Sequence, residues 1–464
     1  MLFFRQAFFC FGVILLNTLG NIQAQTSLNM ELLDRWSEDS LINNTTLVRY
    51  SDCFGFVWKG QEYAVAGSTE GTHVFLITDD HTFVPKGFIK GRYSNTAVYH
   101  RDYATYQHYL YAVCDEGVSD LQIIDFQYLP DSIHLAAEDS LLFGRVHNIF
   151  IDTIQAKLYS CIHRSTVNTQ TIDAAMKIFS LANPLQLTEL WSGPDDIPEV
   201  HDCYVRNGKA LLNCGFDGLR VYDFTNTNSP QFLDSKGFYN DQGYNHQGWL
   251  TPNGTTYLFA DETNGTRIKK CSFNGSIVTI KQLFGTNYQN GSVPHNIMAT
   301  DTFAFVAYYN EGVRVFDLRY NPPLEIAHYD TYPDDHLFKL NGNWGIYSLL
   351  PSKRLLAMDR QYGLFLLDFK RDAFKALAEE ESSVLYPNPF QTGELITVRL
   401  PYSISTFSWE LFDNNGRMIH QGTINDQNYL ELQPMLATGI YQLRLTYFNY
   451  LNDEIRETLK ISAL

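Results

Sequence analysis

One short pattern keeps returning along this chain: a polar or ring-bearing residue followed at once by an alternating apolar run. His147 opens HNIFID, His201 opens HDCYV, His246 opens HQGWLT and His295 opens HNIMAT. Arg101-Asp102 in YHRDYAT, Asp52 in SDCFGF and Trp344 in NWGIYSLL hold the same place. From Arg101 to Trp344 the markers are spaced by 46, 54, 45, 49 and 49 residues. A period of that size marks a repeat architecture, in which each unit buries its apolar faces only against its neighbours.

Within each unit the marker strand is followed by a second strand (EYAVAG, LYAVCD, ALLNCG, FAFVAY), a turn with Gly, and a third strand (LQIIDF, LRVYDF, VRVFDL). A more polar fourth strand such as LTELWSG closes the unit. Short strands at regular spacing, with 29 Tyr and 32 Phe to cover pleated surfaces, predict an all-β chain built of four-stranded units. Seven markers predict a seven-bladed β-propeller over 25–370. The last unit runs from LFLLDF into KRDAFKALAEEESS without a fourth strand. NMELLDRWSED near the start of the chain has the fourth-strand pattern, so the N-terminal strand is expected to close the last blade. One stretch departs from the repeat: Thr166–Ala175 stands where a tight Gly turn belongs.

The ends have other compositions. Residues 1–24 hold Arg5, an apolar stretch near Ala7–Leu16 and small residues around Ala24, the pattern of a secretory signal peptide. That stretch is too short to span a bilayer, and no other is long enough, so no transmembrane segment is expected. Removing the leader takes the net charge from −17 to −18, a poor footprint for nucleic acid or an anionic membrane. Six cysteines follow the leader without a C-x-x-C pair, which argues against a zinc ribbon. Export permits disulfides, and Cys203–Cys214 is one candidate pair. Residues 371–384 read as an acidic linker and 385–464 as a small Ig-like β-sandwich, with Asp413-Asn414-Asn415-Gly416 as a hairpin turn.

In a propeller the markers open the innermost strands, so they should encircle one mouth of a central channel. The turn between second and third strands returns to that face and brings Asp115, Glu116, Asp217, Asp261, Glu262, Glu311 and Asp359 with it. His147, His201, His246 and His295 can then hold a divalent metal, Zn or Ca, helped by Asp261, Asp102 or Asp202. The same groups also suit a structural belt, in which each polar side chain, with Asn148 and Asn296, ties one blade to the next. An acid–base constellation is a third use. Arg101, Asp102, Asn148, Asp202, Glu262 and Asn296, with Tyr244, Trp249 and Trp344 as an aromatic platform, make the candidate ligand-binding mouth. His73, His81, His108 and His163 fall outside the repeat and read as surface residues. No H-E-x-x-H, G-x-S-x-G or P-loop is present, which removes zincin, α/β-hydrolase and P-loop readings. No catalytic residue is singled out.

The stretches HNIFID, HDCYV, YNHQGWLT with ADETNG, PHNIMAT and NEGVRVFDL with NPPLEIAHYD resemble the choice-of-anchor B family of LVIVD-repeat propellers, over about Leu28 to Phe369. LYPNPF, LFDNNGRMI and LATGIYQLRL resemble the type A sorting domain of the type IX secretion system. The second resemblance implies export through the type IX machinery, with 385–464 as a removable address label, to the cell surface or the medium. The first implies a propeller with no established biochemical activity. Together they suggest a surface binding protein for an extracellular ligand or partner; a metal-dependent hydrolase or lyase and a structural scaffold are the alternatives.

Overall fold

The computed structural model describes residues 26–43, 46–167, 170–286, 291, 293–334, 340–371, 383–400, 406–425, 429–448 and 454–464. The expected leader and most of the expected linker lie outside them. Among these residues every regular element is a β-strand, and all named strand pairs are antiparallel.

Between 27 and 369 the strands form seven small sheets, six with four strands and one with five. Successive sheets occupy 50–90, 101–139, 145–193, 202–236, 245–284, 297–329 and 343–369. Their first strands pack side by side in a closed circuit, the last of them (Asn343–Tyr347) returning to the first (Tyr50–Trp58). The hydrophobic core is divided in the same way. Each apolar cluster spans two consecutive sheets: Tyr103 and Ile124 join Tyr63 and Val65, while Leu364 and Met358 join Ala64 and Phe75 across the closure. The fold is therefore propeller-like, with cores between sheets rather than inside them.

The N-terminal strand enters this circuit twice. Ser27–Leu28 adds a fifth strand beside Leu324–Tyr329, and Met30–Trp36 pairs with Gly363–Phe369 as the fourth strand of the last sheet. Asn29 makes the step between them with φ of 51°, a left-handed backbone that Asn tolerates better than most residues, and its Nδ2 donates to the Ile326 carbonyl (2.8 Å). Trp36 then packs on Tyr50, His73 and Phe75 of the first sheet, so one short strand holds both sides of the closure.

Two local devices recur. The turn glycines Gly218 and Gly312 have φ of 78° and 71°, and a Cβ there would run into the carbonyl oxygens of Lys236 and Tyr329 at the end of the fourth strand. Only Gly meets both demands. The Asp closing a third strand accepts a backbone N–H two residues on: Gln127 to Asp125 (2.8 Å), Thr225 to Asp223 (2.9 Å), Arg319 to Asp317 (3.0 Å). Thr166–Ala175 departs from the repeat by extension: Lys157–Val167 and Gln170–Ser180 form a long hairpin beyond the usual turn.

Three expectations change. The six cysteines are buried free thiols, including Cys203 and Cys214. In the antiparallel register Cys203 faces Leu212, so Cys214 lies beyond its partner position. His163 is buried, held between Ser160 Oγ (2.7 Å) and the Leu142 carbonyl (2.7 Å). His73 packs under Trp36 and Phe88 instead of facing water freely.

The C-terminal residues form two sheets, Val384–Tyr386 with Ile396–Arg399 and Tyr429–Leu432, and a four-stranded one running from Phe407 to Ala463. Phe390, Val398, Leu411, Leu443 and Ile461 are among the side chains of their shared core. Asp413 accepts the N–H groups of Asn415 and Arg417 (2.9 Å each), and Gly416 takes φ of 77°, as the DNNG turn requires.

Candidate functional site: a ring of histidines above a neck of acids

The marker residues begin their strands at one end of the circuit, and their rings touch. Centroids of consecutive rings lie 4.9 Å apart for His100–His147, 4.3 Å for His147–His201, 4.2 Å for His201–His246 and for His246–His295, and 4.1 Å for His295–Trp344. His100 and Trp344, at 5.2 Å, complete a circle of five imidazoles and one indole.

His100 was not among the expected site residues. The register aligns Arg101 with the histidines, but Arg101 points away: its Nε donates to the Ser68 carbonyl (2.7 Å) and its Nη2 to that of Tyr93 (2.8 Å). The preceding residue fills the ring instead, and the signal was present in YHRDYAT. The first sheet supplies no ring, its marker being the carboxylate Asp52, and His100 and Trp344 meet directly.

Hydrogen bonds fix several rings. Nδ1 of His201 donates to the His246 carbonyl (3.1 Å), and Nδ1 of His295 to the Trp344 carbonyl (2.7 Å), each reaching to the next sheet. With Nδ1 of His295 occupied, Nε2 keeps its lone pair, and it has no hydrogen-bond partner among the described residues though His295 is 2% exposed. His147 Nδ1 donates to Asp115 (3.0 Å), and His100 Nδ1 meets Glu116. His246 Nε2 lies 3.8 Å from Glu262 Oε2, while Glu262 Oε1 accepts the Tyr309 hydroxyl.

These contacts bring the acidic turns to the histidine face as expected for Asp115, Glu116 and Glu262. Asp261 goes elsewhere. It is fully buried, ion-paired with Lys269 (2.8 Å) and bonded by Tyr239 (2.9 Å) and the Gly243 N–H (2.7 Å), so it is not available to His246. Asp359 is likewise taken, accepting the N–H groups of Gln361 and Tyr362 in its own turn and the Thr331 hydroxyl.

Burial sets the charge of the ring. It pushes His246 down to about 4 and His201 and His295 well below the ordinary imidazole range, reinforced by neighbouring imidazoles. These three are neutral at pH 7, the form in which imidazole ligates metal. At His147 burial acts in the same direction, but the Asp115 bond and charge outweigh it and hold this ring above its ordinary value. Two groups have ligand atoms within 4.8 Å of one another: His100 with Asp115 and His147, and His246 with Glu262 and His295.

Below the rings, the residues one step on form a narrow neck. Asp52, Asp102, Asn148, Asp202 and Asn296 line both the small space under the histidines and a larger cavity beyond, where Gln247 joins them. In the last sheet this position is Gly345, where a Cβ would collide with the Asp52 carboxylate. Part of the neck is a belt: Asp102 accepts the Ile149 N–H and Gln247 the Ile297 N–H, each 2.7 Å away on the next sheet. Asp52 and Asp202 instead accept the N–H of the residue that follows them, Cys53 (2.7 Å) and Cys203 (2.5 Å). Burial lifts Asp102 to about 7, and lifts Asp52 and Asp202 well above the carboxylate range, with neighbouring acids adding to it.

The aromatic candidates separate. Trp344 belongs to the ring, under the Arg360 guanidinium (4.6 Å). Tyr244 stands at the same mouth, edge-on to His201 (5.2 Å), its hydroxyl donating to Glu199 (2.6 Å) and its ring met by Phe216, 77% exposed. Trp249 does not reach this mouth. It packs on Tyr204 and Phe150 and borders the larger cavity. No helix among the described residues is long and apolar enough to cross a membrane.

No family model matches the chain, and no curated protein matches it. Among solved structures, it is similar to PorZ, described as an essential bacterial surface component of the type IX secretion system of Porphyromonas gingivalis. The identity is 12% and the TM-score 0.38, over 89% of this chain and 68% of that one. A provisionally assigned 6-phosphogluconolactonase from Bacteroides uniformis gives 13% identity and a TM-score of 0.47, over 78% of this chain and 95% of the other. The extracellular domain of a provisionally assigned one-component system from B. thetaiotaomicron gives 11% and 0.44, over 93% and 60%.

Proposed function

We propose that this chain is an exported surface protein whose seven sheets are the blades of a seven-bladed β-propeller, and that it binds an extracellular ligand at the histidine mouth through a divalent metal. The observation that carries the reading is His295 Nε2. It is a buried lone pair with no hydrogen-bond partner among the described residues, fixed in orientation by the Trp344 carbonyl and grouped with His246 and Glu262. Burying an unpaired polar atom is costly unless something fills its place. Two neutral imidazoles and a carboxylate are a transition-metal donor set, closer to Zn than to Ca. The Tyr309 hydroxyl on the far oxygen of Glu262 would orient the carboxylate, as outer partners do at metal sites. A metal held by three protein groups keeps a position open for a ligand atom, and Tyr244 with the exposed Phe216 would flank it.

The leader, and residues 385–464 with their sorting-domain resemblance, place the protein in this reading on the type IX route, with the C-terminal module as a small Ig-like sandwich. Elemental analysis of the mature protein, purified without chelator and dialysed against metal-free buffer, tests the site. The reading expects close to one equivalent of a transition metal, lost in His246→Ala/His295→Ala. Less than about a tenth of an equivalent, unchanged in that variant, would defeat it.

A further inference from the structure

The channel has a second end. Beyond the neck lies a cavity of about 240 Å³, bordered by the first strands and by Thr153 and Leu349 just past the ends of theirs. It therefore opens on the face opposite the histidines. Its inner end carries Asp52, Asp102 and Asp202, and its walls include Phe54, Trp249 and Tyr347.

The carboxylates there are short of partners. Asp202 is 8% exposed; Oδ1 accepts the Cys203 N–H, and Oδ2 accepts no hydrogen bond among the described residues. Among the described residues, the bonds made to the three acids come from backbone N–H groups and the Asn296 amide (3.4 Å from Asp52), and none from a cation. The neck acids face this cavity, and a cation bound there would favour their charged form over the neutral one that burial promotes. A bare ion finds no convergent set of three donors here. Among the described residues the only acid or histidine groups converging within 4.8 Å are the two at the histidine mouth, so these three carboxylates do not close on one point.

We propose that this pocket binds a primary alkylammonium group, free or as a lysine side chain, with the nitrogen donating to Asp202 and Asp102 and the carbon chain lying along Trp249 and Tyr347. A cavity of about 240 Å³ is smaller than the roughly 300–1,000 Å³ of drug-sized sites, which suits a group of side-chain size. Aromatic walls favour a cation over a neutral chain of equal length, and ammonium–carboxylate bonds are the stronger, charge-assisted kind. The chain's charge of −17 would gather cations from solution.

Calorimetry on the mature chain with n-pentylamine tests this. One molecule per chain should bind, n-pentanol should not, and Asp202→Asn should weaken binding at least about tenfold, or about 1.4 kcal/mol. Because a neck variant can disturb folding, Thr153→Trp, placed to narrow the opening, provides a second arm and should also abolish binding. Nα-acetyl-lysine methylamide binding more tightly than pentylamine would identify a lysine side chain as the source; the reverse would identify a free amine. No binding up to roughly 10 mM, equal binding of pentanol, or unchanged affinity in both variants would overturn the proposal. Metal-stripped protein should bind pentylamine as well as untreated protein, which separates this site from the histidine mouth.

Discussion

His100 and Trp344 face each other at 5.2 Å, with ring planes inclined at 57°. They come from the second and seventh sheets, so the ring circle closes over a sheet that contributes no ring. Trp344 also meets His295 at 4.1 Å and Arg360 at 4.6 Å, which makes it the keystone of the mouth.

Trp344→Ala should therefore be among the most damaging single changes, lowering unfolding free energy by about 3–5 kcal/mol, as large aromatic truncations do. Trp344→Phe keeps a ring against His295 and should lose less than half as much. Urea unfolding of both variants, followed by circular dichroism, gives the comparison.

His163 makes stability depend on pH in the acid range. Burial pushes it down to about 3, against an ordinary value near 6.5, so below that value the unfolded chain takes up a proton that the folded chain refuses. Its contribution is full above about 6.5 and is lost as pH falls toward 3, up to about 5 kcal/mol. Unfolding midpoints at pH 7.5, 5.5 and 4.5 should decline in wild type, and less steeply in His163→Gln.

All six cysteines that follow the leader are buried and unpaired. Burial raises the thiol of Cys161 well above its ordinary value, and its neighbour Cys203 is shifted the same way. Ellman's reagent should find almost no reactive thiol in the native mature protein and six per chain in guanidinium. Fewer than six after unfolding without reductant would show that a disulfide exists.

The N-terminal strand holds the closure from both sides through Met30–Trp36 and Trp36's contacts with the first sheet. Deleting 27–36 should leave edge strands open on two sheets and lower stability by several kcal/mol, with hydrogen exchange rising first in 363–369. Trp36→Ala alone should cost about 3 kcal/mol.

A chain ending at Ser383 keeps every propeller-like sheet and loses the C-terminal module. On the proposed type IX route, this shortened chain should collect in the periplasm and the full chain should reach the surface or the medium. Fractionation and surface proteolysis distinguish the two, and surface delivery of the truncated chain would end the sorting assignment.

Period and patterning in the sequence determined the repeat unit and its four-strand order, because alternation of apolar residues fixes which face of a strand is buried whatever its partner. The borrowed fourth strand was legible for the same reason: NMELLDRWSED has the pattern the last unit lacks. What patterning does not encode is where a polar side chain turns once its backbone is placed. Arg101 and His100 are neighbours, and only the packing against Ser68 and Tyr93 sends the guanidinium out and the imidazole in. Asp261 and Glu262 are neighbours too, and it is the buried Lys269 ammonium that claims the first and leaves the second for His246. Side chains choose partners across sheets, between residues tens to hundreds of positions apart, so the ring and the neck exist only once the circuit has closed.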